Sequence, residues 1–273
     1  MASSLKPMAS SFNPNCLANQ VAVITGGGSG ICMGIARVFM KHGADVAILS
    51  RNYEKLKKAS EELEADTKQS CFPVAADVRN YDQMSEAFDK IMNRFGSFNI
   101  LVNGAAGNFL SPVASLSYNG FKSVMEIDAH GTFIASQLAY KKALKEKGGV
   151  ILNISMTLHY TGTPFQTHAG AAKSAVDAMT KHMAVEFGPK KVRVNGVAPG
   201  PIGGTVGMDK LGGKMSPKQI AKGIPLGKMG TVDDIGYTCM FLCLKEASFI
   251  TGTTVVVDGG EWLGGGGMLR SLM

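Results

Sequence analysis

The sequence predicts a doubly wound α/β domain of the Rossmann type: one parallel sheet with helices on both faces. Three observations predict it. Short Val/Ile-rich runs recur along the chain, they lack the apolar–polar alternation of half-exposed strands, and segments with helical spacing separate them. Strands buried on both faces and joined by helical crossovers give that sheet, with ligands at the carboxyl ends of the strands.

The elements follow in order. The β-rich run "QVAVIT" leads into a glycine turn and then "GIARVFMKHG", which has helical spacing and a glycine stop. Next come "DVAILS", a polar helix from about Asn52 to Asp66, "CFPVAA", and a helix from about Tyr81 to Phe95. "NILVN", a long helix near Tyr118 to Lys147, and "GVILNIS" continue the alternation. The helix that opens "QTHAGAAKSAVDAM" runs to about Phe187, and "VRVNGVAPG" reads as the next strand. A helix from about Asp233 to Leu244 and the run "TTVVVDGG" complete the pattern. Residues 1–18 are expected to form a flexible arm, 19–263 a single dinucleotide-binding domain, and 264–273 a glycine-rich tail. The one long irregular stretch, at about 200–230, is expected to form a lid.

Composition narrows the function. The chain has 273 residues, 45% hydrophobic and 18% charged, which describes a globular protein with one large core. No apolar run reaches the roughly 18 residues that a membrane span requires. The net charge of +7 comes from scattered lysines whose short clusters sit at helix ends, so it points to anionic metabolites and away from nucleic acid. The five cysteines are odd in number and lack zinc spacing, and no H-E-x-x-H pattern occurs, so no metal site is expected. Ser271-Leu272-Met273 resembles the S-K-L peroxisomal address, with Leu in the basic position.

The glycines of "VAVITGGGSGICMGIARVF" lie between the first strand and the first helix. Backbone amides there can approach a pyrophosphate at a helix N-terminus. The second strand ends in Ser50 and Arg51, a hydroxyl and a cation where NAD-preferring enzymes place a carboxylate. That pair suits a 2′-phosphate, so the expected cofactor is NADPH.

Thr25, Gly26, Gly28, Ser29, Gly30 and Ile31 fit the pattern T-G-x-x-x-G-I-G, with Cys32 in place of the last glycine. Together with Asp77-Val78, "NGAAG" and Pro199-Gly200, they make the chain resemble the short-chain dehydrogenase/reductase family over nearly its whole length. The resemblance implies that Asp77 and Val78 hold the adenine, that Asn103 lies near the ribose, and that Ala105 belongs to the same cofactor site. It also implies that Lys173 contacts the nicotinamide ribose, with Ile202 and Thr205 near the carboxamide. Family assemblies usually form through the long central helices, which implies a homo-oligomer, most often a tetramer.

Typical members reduce carbonyls with Y-x-x-x-K, an upstream Ser and a structural Asn. Here the tyrosine position is Ala169, the serine position is Met156 beside Ser155, and the asparagine position is Asp128. Three readings follow: a non-catalytic nucleotide binder, a carbonyl reductase with Tyr160 as a displaced acid, and a reductase that does not protonate a carbonyl oxygen. "CFPVAADVRN", "AAGNFLSP", "MEIDAHGTF", "HAGAAKSAVDAMTKHMAVEFGP" and "RVNGVAPGPIGGT" resemble the 2,4-dienoyl-CoA reductases, in particular their peroxisomal branch. That resemblance favours the third reading and implies an acyl-CoA substrate. On it, Asn108 hydrogen-bonds the thioester carbonyl or orients the acyl chain beside Phe109. Asp128, Lys173 and Asp177 form a polar cluster, Lys173 meeting Asp177 one helical turn away. An ordered water between the carboxylates is the expected proton source. His168 is expected as a structural or lining residue, Lys210 and Lys214 as a basic rim for CoA phosphates, and "GGTVGMDKLGGKM" as an adaptable wall.

Overall fold

The computed structural model describes residues 10–205, 207–208 and 215–264. Its centre is a seven-stranded parallel sheet in the order β3-β2-β1-β4-β5-β6-β7. The strands are β1 (Val21–Thr25), β2 (Asp45–Ser50), β3 (Cys71–Ala75), β4 (Ile100–Asn103), β5 (Gly149–Ile154), β6 (Val192–Pro199) and β7 (Thr254–Val257). All seven coincide with the Val/Ile-rich runs of the sequence. The order reverses between β1 and β4, which pair in parallel at Val23–Leu101, so a crevice must open beyond their carboxyl ends.

Helices α1 (Gly30–Lys41), α2 (Tyr53–Thr67) and α3 (Tyr81–Phe95) follow the first three strands. Asn52 and Asn80 cap α2 and α3 by accepting from the backbone of Lys55 and Gln83, which fixes both starts. The long central helix is not uniform. It runs as α4 (Tyr118–Met125), a π-helical turn (Glu126–His130), α5 (Gly131–Ala139), a second π-helical turn (Tyr140–Leu144) and α6 (Lys145–Lys147). Then α7 (Thr167–Phe187) carries Lys173, α8 (Pro217–Lys222) forms a short turn, and α9 (Val232–Cys243) completes the set.

The core divides into two layers. On one face α1 and α9 bury Ile35, Phe39, Ile235 and Met240 against Ile24, Ile48 and Val102. Gly34 and Gly236 allow close approach, because a methyl on either would run into Val232 or Val38 across the contact. On the other face Met84, Phe88, Ile91 and Leu138 pack against Val23, Leu101 and Ile151. Burial of this kind is worth about 1.5–3 kcal/mol per large apolar side chain.

The irregular stretch between β6 and α9 is pinned at both ends. Ile202 pairs with Gly230, Gly203 donates to the Gly230 carbonyl at 2.9 Å, and Gly230 donates back to Pro201 at 3.0 Å. A capping box of Ser216 and Gln219 starts α8. Lys210, Lys214 and most of the Met/Gly-rich wall lie outside the described residues, as do the C-terminal tripeptide and the first half of the expected arm. No helix among the described residues is long and apolar enough to cross a membrane.

Candidate active site

A cleft of about 770 Å³ opens at the carboxyl ends of the strands, where the order reverses. Gly26, Gly28, Ser29, Gly30 and Ile31 form one wall of it, as the glycine turn requires. Gly26 adopts φ +75°, and a methyl there would press on the Gly104 carbonyl at 2.9 Å. Ser29 caps α1 without a side-chain bond to its own helix, and its hydroxyl instead receives Lys55 Nζ at 3.1 Å. The first-turn amides of α1 therefore face the cleft as a ready anion site.

Ser50 and Arg51 line the same wall, with Lys55 beside them. The sequence gave Lys55 only as one of the lysines clustered at a helix end. Its only signal is its place in the first turn after Asn52, on the helix that follows β2. Asp77 and Val78 also line the cleft. The Arg79 guanidinium, 2.6 Å from Asp77 and bonded to it, holds that carboxyl below its ordinary range.

Cys32 also lines the cleft, and its departure from glycine has a matching partner. Its Sγ points at the Gly104 carbonyl at 3.5 Å, and a methyl on Gly104 would collide with the sulfur. The missing Cβ has moved across the contact, from α1 to the turn after β4. Burial pushes the Cys32 thiol up to about 12, with the Lys173 ammonium opposing in part, so the group stays a neutral packing element.

Lys173 lines the other end of the cleft and is buried, yet it does not meet Asp177. Its Nζ donates to the Ile154 carbonyl at 2.8 Å and pairs with Asp128 Oδ2 at 3.0 Å. The π-helical turn sets Asp128 inward, 1% exposed, where its other oxygen accepts from the Gly107 amide at 2.7 Å. The expected Lys173–Asp177 pair is thus replaced by Lys173–Asp128. The reason is that a second, nearer set of donors already occupies Asp177.

Those donors are His159 Nε2 and Tyr160 Oη, each 2.9 Å from Asp177 Oδ2, with Thr254 Oγ1 at 3.3 Å from Oδ1. Burial pushes the Asp177 carboxyl up, but hydrogen bonds from His159 and Tyr160 and the nearby Ser155 hydroxyl together bring it below its ordinary range. Burial and the Asp177 carboxylate raise Tyr160 well above a normal phenol. Tyr160 is therefore spent on Asp177 and is a poor acid, and neither residue lines the cleft.

Three other expected site residues lie outside the lining of the cleft. Asn103 lies behind the cleft wall, donating to Ser136 and Asn153 at 2.8 Å each in a buried polar network. Thr25 is likewise not a lining residue: its hydroxyl accepts from the Gly104 and Ala105 amides at 3.0 and 3.1 Å and so shapes the turn. His168 is fully buried, bonds the Phe109 carbonyl at 2.9 Å and stacks on the Phe109 ring, which is itself 39% exposed.

Asn108 does line the cleft. Its amide donates to Gln166 at 2.8 Å, while Oδ1 is buried with no partner. Met156, at the serine position, joins it, as do Gln166, Leu158 and Thr163, for which the sequence gave no signal. Ala169 stands at the tyrosine position with its methyl in the cleft. Ala105, Pro199, Gly200, Ile202 and Thr205 complete the far wall. No group of three His, Cys, Asp or Glu able to hold a metal occurs among the described residues.

The cleft thus has a free helix N-terminus at one end and a buried ion pair at the other, which fits a dinucleotide. The sequence model described as Enoyl-(Acyl carrier protein) reductase matches residues 26–261. The chain is 50% identical over 253 residues to peroxisomal 2,4-dienoyl-CoA reductase, (3E)-enoyl-CoA-producing, of Danio rerio, covering 92% of this chain and 84% of the relative. It is 46% identical to the protein of the same description in Rattus norvegicus, covering 92% and 87%. A solved short chain dehydrogenase from Bacillus anthracis superposes with a TM-score of 0.78 at 40% identity, covering 89% of this chain and 96% of that one. A strand order that reverses beside a glycine turn, a lysine on α7 that faces the cleft, and similarity along almost the whole chain lead to one assignment: the protein belongs to the short-chain dehydrogenase/reductase family.

Proposed function

We propose that this protein is an NADPH-dependent 2,4-dienoyl-CoA reductase that forms a 3-enoyl-CoA in the β-oxidation of unsaturated fatty acids. The observation that carries the reading is that no tyrosine lines the cleft beside Lys173. Ala169 offers a methyl where a carbonyl reductase needs a phenol, and the displaced candidate Tyr160 is bound to Asp177. The identity of 46–50% to relatives described as 2,4-dienoyl-CoA reductases supports the same substrate class.

The α1 N-terminus and Gly28–Ile31 would hold the pyrophosphate, Asp77 and Val78 the adenine, and Ser50, Arg51 and Lys55 the 2′-phosphate. A nicotinamide cofactor held there would supply the hydride that adds to the far carbon of the conjugated diene. The electrons then reside on the thioester oxygen as a dienolate, and a carbon takes a proton. Such an oxygen needs stabilising hydrogen bonds more than a strong acid. Lys173 keeps one N–H beyond those given to Ile154 and Asp128, and Asn108 keeps the second hydrogen of its amide. Asp128 compensates the lysine charge and fixes its direction. Asp177, outside the cleft, acts at a distance on the proton-donating water.

Spectroscopic measurement of NADPH oxidation tests the reading. Turnover on a 2,4-dienoyl-CoA but not on a simple ketone is expected; the reverse would return the carbonyl-reductase reading. Peroxisomal residence is proposed from the peroxisomal relatives. A homotetramer through the central helices is supported by Phe133 of α5 and Val185 of α7, 47% and 78% exposed in the single chain. Sedimentation of the purified protein reads the assembly directly.

A further inference from the structure

Gln166 stands at the N-cap position of α7, yet its side chain gives that helix no capping bond. It is 3% exposed, lines the cleft, and is spent on the loop after β4 instead. Its Oε1 accepts from Asn108 Nδ2 at 2.8 Å, and its Nε2 donates to the Phe109 carbonyl at 3.4 Å. The backbone leading into this position is strained. Phe165, the residue before it, holds φ +65°, and its carbonyl takes the Ser111 amide at 3.2 Å. Such strain in a non-glycine residue persists where surrounding contacts impose it, and it collects at working sites.

The Phe109 carbonyl sets the direction of the whole chain of bonds. A carbonyl only accepts, so His168 Nε2, 2.9 Å away, and Gln166 Nε2 must both carry the hydrogen. Gln166 Oε1 then faces Asn108, and Asn108 must answer with its NH2. Turning Asn108 over would require Gln166 to turn as well, which would set two acceptor oxygens against each other at Phe109. The imposed polarity has a cost, because Asn108 Oδ1 is left buried without a partner. A buried oxygen is closed to a bound group, whereas the second hydrogen on Nδ2 remains unused.

We propose that Gln166, its own amide locked by the Phe109 carbonyl, is a positioning residue that makes Asn108 a hydrogen-bond donor to the cleft and denies it the role of acceptor. What the donor does in turnover rests on the reductase reading; its polarity does not. On that reading the N–H meets the thioester oxygen as the hydride adds and negative charge gathers there. An acceptor at the same place would repel that oxygen.

The test is a double-mutant cycle on the full chain with NADPH and a 2,4-dienoyl-CoA: Gln166→Leu, Asn108→Ala, and both together. Each single change is expected to lower kcat by about 10-fold or more, with the KM for NADPH within about 2-fold, and the double variant is expected to be no slower than the worse single. Gln166→Glu keeps an acceptor opposite Asn108 and should lose less rate than Gln166→Leu. Asn108→Asp offers oxygens only and should be as slow as Asn108→Ala. Multiplicative losses, a Gln166→Leu enzyme with unchanged kcat, or an Asn108→Asp enzyme as fast as the parent would overturn the proposal.

The bonds also have a readout that needs no substrate. In equilibrium unfolding of the same variants, the double change should lose less stability than the two singles added, because Asn108 and Gln166 share one bond. Additive losses would refute the chain of bonds. Coupled losses in a protein inert toward dienoyl-CoA would refute the reductase reading alone. Should Gln166→Leu fail to fold, Gln166→Met takes its place in both cycles with the same outcomes.

Discussion

Lys173 spends two N–H donors on Ile154 and Asp128 and is left with one, and that arithmetic governs what its loss should do. Lys173→Met removes the counter-charge of a carboxylate that is 1% exposed, so a destabilisation of about 3–5 kcal/mol is expected in urea unfolding, besides the loss of turnover. Arg51 lies open at the other end of the cleft, where its loss should affect binding alone. Arg51→Ala is expected to weaken NADPH by about 10-fold or more in a fluorescence titration while NADH changes little. Equal losses would contradict a 2′-phosphate contact, and a residual preference would fall to Lys55. Asp177 gives a pH signature. Its folded pKa is depressed, so the stability it adds is complete above the ordinary carboxylate range and is lost as pH falls through the lower folded value. Unfolding midpoints followed from pH 7 to pH 3 should therefore fall more steeply for the parent than for Asp177→Asn.

Two elements show how backbone geometry places these side chains. The π-helical turn Glu126–His130 interrupts the central helix where Asp128 must reach both Gly107 and Lys173. The 3.6-residue spacing of the sequence gave a continuous helix through this point, because one extra residue in a turn leaves no mark in an apolar pattern. The contact between α1 and the turn after β4 exchanges a side chain for a glycine. Gly104→Ala would drive a methyl into the Cys32 sulfur and is expected to cost about 1–3 kcal/mol. Cys32→Ala in the same chain should recover a large part of that loss, and equilibrium unfolding of the three variants measures the coupling.

For the molecule as a whole, cofactor binding and folding are linked, since the cleft exists only when β1, β4 and β6 are assembled. NADPH at about 100 times its Kd should add about 2.7 kcal/mol, or roughly 5–10 °C in melting temperature for a chain of this size. Arg51→Ala should blunt that shift. The strands, the helices and the glycine turn were readable in advance, because each depends on local propensity and on residue types that one element presents along its own length. The site roles of Lys173 and Asp128 came from the family resemblance. The partner of Lys173 came from neither. Spacing along α7 offered Asp177 one turn away, but a buried ammonium goes to whichever acceptors the packed chain brings to it, and those came from β5 and from the π-helical turn. Asp177 in turn was claimed by His159 and Tyr160, from a loop without periodicity, and by Thr254 from the last strand. Local sequence laid out which elements form and in what order. The choice between competing charged and polar partners had to wait for packing, since it depends on distances between segments far apart in the chain.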